Sequence, residues 1–205
     1  FSAQASLIAE RIAAPAAHGH GLAIVDLDGF GMVNDSFGHD GGDEVLRRMG
    51  QRISAACEDQ GGVYRYGGEG FLVLFPDMDI DQLNRCAEEI RRAVGQPVAL
   101  YSTHPSFTVT ASIGLAHAPE HGADLQTLLR CADDARHLAK RAGRNQVRLP
   151  SATTQQETSD RLSRVTALRE AVARGQLRLV YQPVVAGDSS QLTGFEALAR
   201  WRHPA

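Results

Sequence analysis

The chain has 205 residues, 43% hydrophobic and 22% charged, with 21 Lys and Arg against 24 Asp and Glu for a net charge of -3. That is too apolar for a disordered chain and long enough to bury a core, and without a basic block it excludes a sequence-blind grip on a nucleic-acid backbone. Cys57, Cys86 and Cys131 are odd in number and lack C-x-x-C spacing, which argues against a disulfide framework or a structural zinc site, and no apolar run approaches the ~20 residues that cross a bilayer.

A reducing, cytoplasmic setting is expected, with no membrane contact within this stretch. The start at Phe1 reads as an excised fragment, so a membrane tether farther upstream stays open. Residues 2–14 have apolar residues at Leu7, Ile8 and Ile12, a helical spacing that Pro15 and His18-Gly19-His20-Gly21 interrupt. Leu22-Ala23-Ile24-Val25 reads as a buried strand, which puts Asp26 at its C-terminal end. Val45, Leu46, Met49 and Ile53 predict a helix over 43–56, with Gly41-Gly42 before it. Residues 63–66 and 71–76 read as a hairpin around Gly67-Gly68-Glu69-Gly70. A helix over 80–94, a strand over 107–115, a helix over 125–142 stopped by Gly143 and a short edge strand over 145–148 follow. Strands alternating with helices and joined partly by hairpins predict an α/β fold, a mixed sheet with helices packed over it. The polar run 151–159 reads as a linker, and a helix over 160–173 with strands at 177–185 and 192–199 opens a second unit too short for a core of its own.

Asp26 and Asp28 at a strand end, with Glu69 in the hairpin tip, could hold a magnesium ion, which is usually bound by one or two carboxylates plus nucleotide phosphates. Acids are also common in loops at strand ends. The three glycines bracketing Glu69 exceed what one turn needs and favour close backbone approach to a ligand.

Over residues 22–148 the chain resembles the GGDEF family of diguanylate cyclase domains. The resemblance rests on Asp26-Leu27-Asp28-Gly29-Phe30, Asn34-Asp35, Gly38-His39-Asp40, Gly42-Asp43-Glu44, Arg65-Tyr66-Gly67-Gly68-Glu69-Gly70-Phe71, Ser112-Ile113-Gly114 and Ala139-Lys140-Arg141-Ala142-Gly143-Arg144-Asn145. It implies a palm-like sheet of the nucleotide-cyclase type. Two such domains face each other as a homodimer, each holding GTP and magnesium, and join the nucleotides into cyclic di-GMP. By the same resemblance Asp26 and Glu69 are metal carboxylates, Leu27 a backbone-carbonyl ligand, and Glu69 the catalytic acid that remains. Asn34, Asp43 and Phe30 bind the nucleotide, with Asn34 and Asp43 reading guanine; an Asp facing guanine N–H donors rejects a base that lacks them. Lys140 and Arg144 hold phosphates. Local alternatives exist: Asn34 ending a short helix, Asp43 as a helix N-cap, and the two cations serving the helix dipole.

Departures bear on activity. The family's turn usually reads Gly-Gly-Asp-Glu-Phe or Gly-Gly-Glu-Glu-Phe, whereas Gly70 stands at the second acid. An acid of that kind contributes about 10²–10⁴ in rate, so synthesis is expected to be nearly absent, and a Gly70→Glu change is expected to raise it if nothing else is missing. Gly31 replaces a usual Lys, Arg136-His137 replace a usual Leu-Tyr, and Glu58 and Gly61 stand where an inhibitory R-x-x-D motif would lie.

Residues 179–185 and 194–204 resemble the opening of the EAL family of cyclic di-GMP phosphodiesterases, a β/α barrel truncated here at Ala205. In that family Glu196 is a catalytic metal ligand, and Gln182 and Arg200 face cyclic di-GMP; the alternative is that Glu196 and Arg200 form a solvated charged pair. The expected organisation is an N-terminal helix and linker over 1–20, a degenerate GGDEF domain over 21–149, a linker over 150–159 and an EAL start over 160–205. The expected function is a GTP-binding domain, impaired in synthesis, that regulates an attached phosphodiesterase. A nucleotide-free dimerisation scaffold and a slow cyclase running on Glu69 alone are the alternatives.

Overall fold

The computed structural model describes residues 2–57, 60–100, 105–150, 171–172, 174–187 and 191–201. The chain divides into two compact units, 1–155 and 156–205.

In the first unit, α1 (Ser2–Ala13) leads into β1 (His20–Leu27), then α2 (Phe30–Ala56), β2 (Gly62–Arg65), β3 (Gly70–Pro76), α3 (Ile80–Val94), β4 (Ala111–Ala118), α4 (Leu125–Arg141) and β5 (Val147–Arg148). The five strands form one sheet in the order β2-β3-β1-β4-β5, antiparallel except for the β4-β5 pair. This is the mixed sheet flanked by helices that the sequence predicts.

Side chains alternate across a strand, so each strand feeds two cores. Ala23, Val25 and Leu27 of β1, with Phe71, Val73 and Phe75 of β3 and Ile113 and Leu115 of β4, pack beneath α2 and α3. Leu22 and Ile24, with Leu72, Leu74 and Ala116, pack instead against α1 and α4, where Ile8, Ile12, Leu128 and Ala132 are buried. By this parity Asp26 belongs to the α4 face. Gly114 lets α4 come down onto the sheet there: a Cβ at that position would overlap the Ala132 carbonyl oxygen and the Arg136 amide nitrogen.

Two sequence expectations need correction. The helix over 43–56 begins at Phe30 and runs through a kink at Gly38, where φ is 71°. Gly41 and Gly42 are therefore buried helical residues rather than a lead-in. They are small because a Cβ at Gly41 would overlap Phe37 and one at Gly42 would overlap the Asn34 side chain. Consequently Asn34 does not end a helix and Asp43 is not an N-cap. Second, β4 starts at Ala111 and continues to Ala118, following its pairing with β1 from Leu27↔Ala111 to His20↔Ala118; Phe107 instead bridges Val98 and stacks on Phe37 with ring centroids 5.0 Å apart. Only Gly67 in the hairpin tip has positive φ, at 76°, so the tip holds more glycines than its turn requires.

In the second unit, β6 (Leu177–Val185) and β7 (Leu192–Trp201) form an antiparallel pair. Ala171 and Val172 are helical, and Gly175 has φ 63°; the rest of the helix expected over 160–173 lies outside the described residues, as do the 151–159 linker, Glu58 and His203. Among the described residues no helix is long and apolar enough to cross a membrane, and none of the three cysteines is in a disulfide, with burial pushing the Cys57 thiol up to about 12.

Candidate nucleotide site

Two groups of predicted residues assemble on different elements. The first is on α2. The kink at Gly38 folds the helix so that Asn34 Oδ1 and the Phe30 ring lie over Gly42, where no Cβ intervenes, and Asp43 follows on the exposed side. Phe30 itself is buried in the core, 6% exposed, so it supports Gly42 from below. Asp43 opens onto a shallow cavity of about 390 Å³ lined also by Leu46, Arg47, Gly50, Arg65 and Phe71, within the ~300–1,000 Å³ range of small-molecule sites. Its cationic side is rigid. Glu44 accepts from Arg47 Nε and Nη2 at 2.7 Å and from Arg48 Nε at 2.6 Å, and these two guanidinium groups hold its carboxyl down at about 2. Arg65 stacks over Phe71, 5.0 Å from the ring centroid, and donates to the carbonyls of Gly68 and Gly70.

The second group surrounds the end of β1. Asp26 lies 2.6 Å from Arg136 Nη1 through Oδ2 and 2.6 Å from Lys140 Nζ through Oδ1, with side-chain exposures of 13%, 14% and 29%. Oδ1 has no hydrogen bond of good geometry, so the Lys140 contact is purely charge to charge. The Arg136 guanidinium is held from its other side by Asp133 Oδ1, at 2.9 Å from Nε and 2.7 Å from Nη2. Asp28 accepts from Ser112 Oγ at 2.7 Å, Thr110 Oγ1 at 2.8 Å and the Asn145 amide at 3.1 Å. It thus pins β4 and the turn after α4 to the strand end. Arg144 lies exposed in that turn at φ 63°, at the far end of α4 from the hairpin tip in sequence.

Glu69 reaches this region through its backbone: its carbonyl accepts from the Leu27 amide at 3.3 Å. The Leu27 side chain is core, 1% exposed. Gly70 is the register partner of Asp26, so any side chain there would stand beside Asp26 on the same face. A Cβ at Gly70 would overlap the Tyr66 carbonyl oxygen. Replacing the acid therefore requires the hairpin backbone to move, and Gly70→Glu alone is not a simple restoration.

The magnesium that the resemblance implies, on Asp26, Glu69 and the Leu27 carbonyl, does not fit Asp26 as it stands. Both oxygens of Asp26 carry a cation, and both oxygens of Asp28 accept hydrogen bonds. Two like unit charges 4 Å apart repel by about 4 kcal/mol at an effective dielectric of roughly 20, and a divalent ion doubles that.

Of the residues expected to act, Asn34 with Asp43 and Asp26 with Lys140 are brought together. The structure adds Arg136 and Asp133, unread as a unit in the sequence although Arg136 and Lys140 are spaced i, i+4 on one helical face. In the second unit Gln182 and Glu196 are direct register partners across β6 and β7, and Arg200 lies opposite Arg178. Four strand residues span ~13 Å, so Glu196 and Arg200 are not the charged pair a helix would make.

A model of the diguanylate cyclase GGDEF domain matches residues 4–146, and one of the EAL domain matches residues 165–205. The chain is 34% identical over 188 residues to the cyclic di-GMP phosphodiesterase NbdA of Pseudomonas aeruginosa, covering 91% of this chain and 24% of that protein. It is 36% identical over 183 residues to the bifunctional diguanylate cyclase/cyclic di-GMP phosphodiesterase MucR of the same organism, covering 89% and 26%. It thus spans about a quarter of the length of these relatives. An X-ray structure of an EAL/GGDEF domain protein from M. capsulatus superposes with a TM-score of 0.62 at 32% identity, covering 69% of this chain and 92% of that one. With the palm-like sheet, the hairpin turn and both motif sets in place, the chain belongs to the diguanylate cyclase GGDEF family and continues into the start of an EAL domain.

Proposed function

We propose that the first unit is a guanine-nucleotide-binding GGDEF domain that does not synthesise cyclic di-GMP and that regulates the EAL domain attached behind it. The observation that carries this reading is Gly70: it faces Asp26 in register, and the hairpin has closed to a geometry in which a Cβ would strike the Tyr66 carbonyl. No side chain of the turn replaces the absent acid. The α2 side, by contrast, presents an Asp43 carboxylate over a shallow cavity of about 390 Å³, with the Asn34 amide beside Gly42. Asp43 accepts from guanine N1–H and N2–H₂, and Lys140 and Arg144 supply cations for the phosphates. A nucleotide bound in this way shifts the EAL domain only by its differential affinity for two arrangements. The domain bounds 21–149 and 160–205, with Gln182, Glu196 and Arg200 as the EAL residues facing cyclic di-GMP, form part of the same proposal. So does association of two copies.

Calorimetric titration of GTP with magnesium into the 205-residue chain, paired with an assay for cyclic di-GMP, tests it. Heat without product is expected. Product at the rate of a working cyclase overturns the impairment, and absence of heat leaves the dimerisation scaffold as the reading.

A further inference from the structure

We infer that Arg136 is a built-in replacement for a divalent ion at Asp26, so that this domain binds its nucleotide without a metal requirement. The inference deepens the regulatory reading above and rests on it for nucleotide affinity, though not for the ion pair itself.

Three observations converge. First, the guanidinium is positioned rather than draped over the surface: Nε and Nη2 are held by Asp133, which leaves Nη1 aimed at Asp26 Oδ2 at 2.6 Å. Second, α4 can deliver it only because Gly114 has no side chain, the Arg136 amide lying where a Cβ of residue 114 would be. Third, the residue directly opposite Asp26 in register is Gly70, so the strand partner itself adds no carboxylate beside Asp26. An arginine is always charged, cannot be chelated and binds carboxylate oxygens directionally. Placed here with Lys140, it gives Asp26 the counter-charge that a metal would otherwise supply. Asp26 then acts as an ion-pair acceptor that positions two cations at the end of β1, and these cations face incoming phosphates.

The sign of a stability change separates the two roles. In a metal-free protein, an acid kept for a metal is an unneutralised charge, and converting it to an amide leaves stability unchanged or raises it. An acid already paired with two largely buried cations leaves them unpaired when removed. The test is a set of thermal melts in EDTA on the full 205-residue chain: wild type, Asp26→Asn, Arg136→Leu and the double variant. Asp26→Asn is expected to lower the melting temperature by roughly 5 °C or more, and the double variant to recover at least about half of that loss. An Asp26→Asn melt equal to or above wild type overturns the inference.

The second arm is calorimetry with GTP in EDTA and in magnesium. Wild-type affinity is expected to agree within about twofold between the two conditions, and Arg136→Leu to gain about tenfold or more from magnesium. A wild-type affinity about tenfold weaker in EDTA overturns the inference. Absence of heat in both buffers overturns the nucleotide reading instead, and the melts then decide the ion pair independently.

Discussion

The two faces of the central sheet have diverged in kind. Under α2 and α3, helix and strand meet through apolar packing, and polar function is confined to an edge where Asn34 and Asp43 flank a buried glycine. Under α4, the end of β1 is electrostatic: Asp26, Asp133, Arg136 and Lys140 interlock, and Asp28 ties three donors together. The groups around Asn34 and Asp43 and those around Asp26 thus depend on different helices, α2 and α4. On the proposed reading, this separation is what lets one sheet lose turnover and retain recognition.

Disturbing each face separately sharpens this contrast. The largest effect is expected from Gly114→Ala, which forces α4 off the sheet; a loss of about 3 kcal/mol in chemical denaturation is predicted, with weakening of the Arg136–Asp26 pair. Gly70→Ala comes next, at about 1–3 kcal/mol, because the hairpin must open at Tyr66. Gly70→Glu carries the same strain, and its cyclic di-GMP output is expected to stay at background; output near that of a working cyclase would show that the missing acid was the sole defect. On the other face, Asp43→Ala is expected to weaken GTP by about tenfold or more in calorimetry while the melt stays unchanged, since Asp43 is exposed and its loss leaves no buried group unpaired.

The smallest effect is a pH dependence in the loop after β4. Nδ1 of His121 accepts the His117 amide at 3.0 Å, and burial holds its pKa below the usual 6.5. A group whose folded pKa is depressed contributes stability above its unfolded value and loses it as pH falls through the folded one. Stability should therefore decline on acidification from about pH 7 toward 5, and His121→Gln should flatten that decline.

Local signals in the sequence were clear where local physics decides. The helix read over 80–94 matches α3 because Asp79 and Gln82 form a capping box at its start. Asp26 at the end of β1 and the hairpin at 62–76 follow from apolar runs bounded by glycine. Gly41 and Gly42 mislead because glycine reads as a breaker, whereas here Gly42 admits Asn34 and Phe30 from the helical segment before the Gly38 kink. The pairing of Asp26 with Arg136 joins residues 110 positions apart, a distance over which periodicity is silent. What was readable was the replacement of an apolar residue by Arg136 one helical turn before Lys140, a spacing that sets both cations on one face.

The melting temperature of Asp26→Asn in EDTA bears most directly on the claim that an arginine stands in for the ion. A fall below wild type, reversed in good part by adding Arg136→Leu, is predicted; a value at or above wild type would show that Asp26 is waiting for a metal after all.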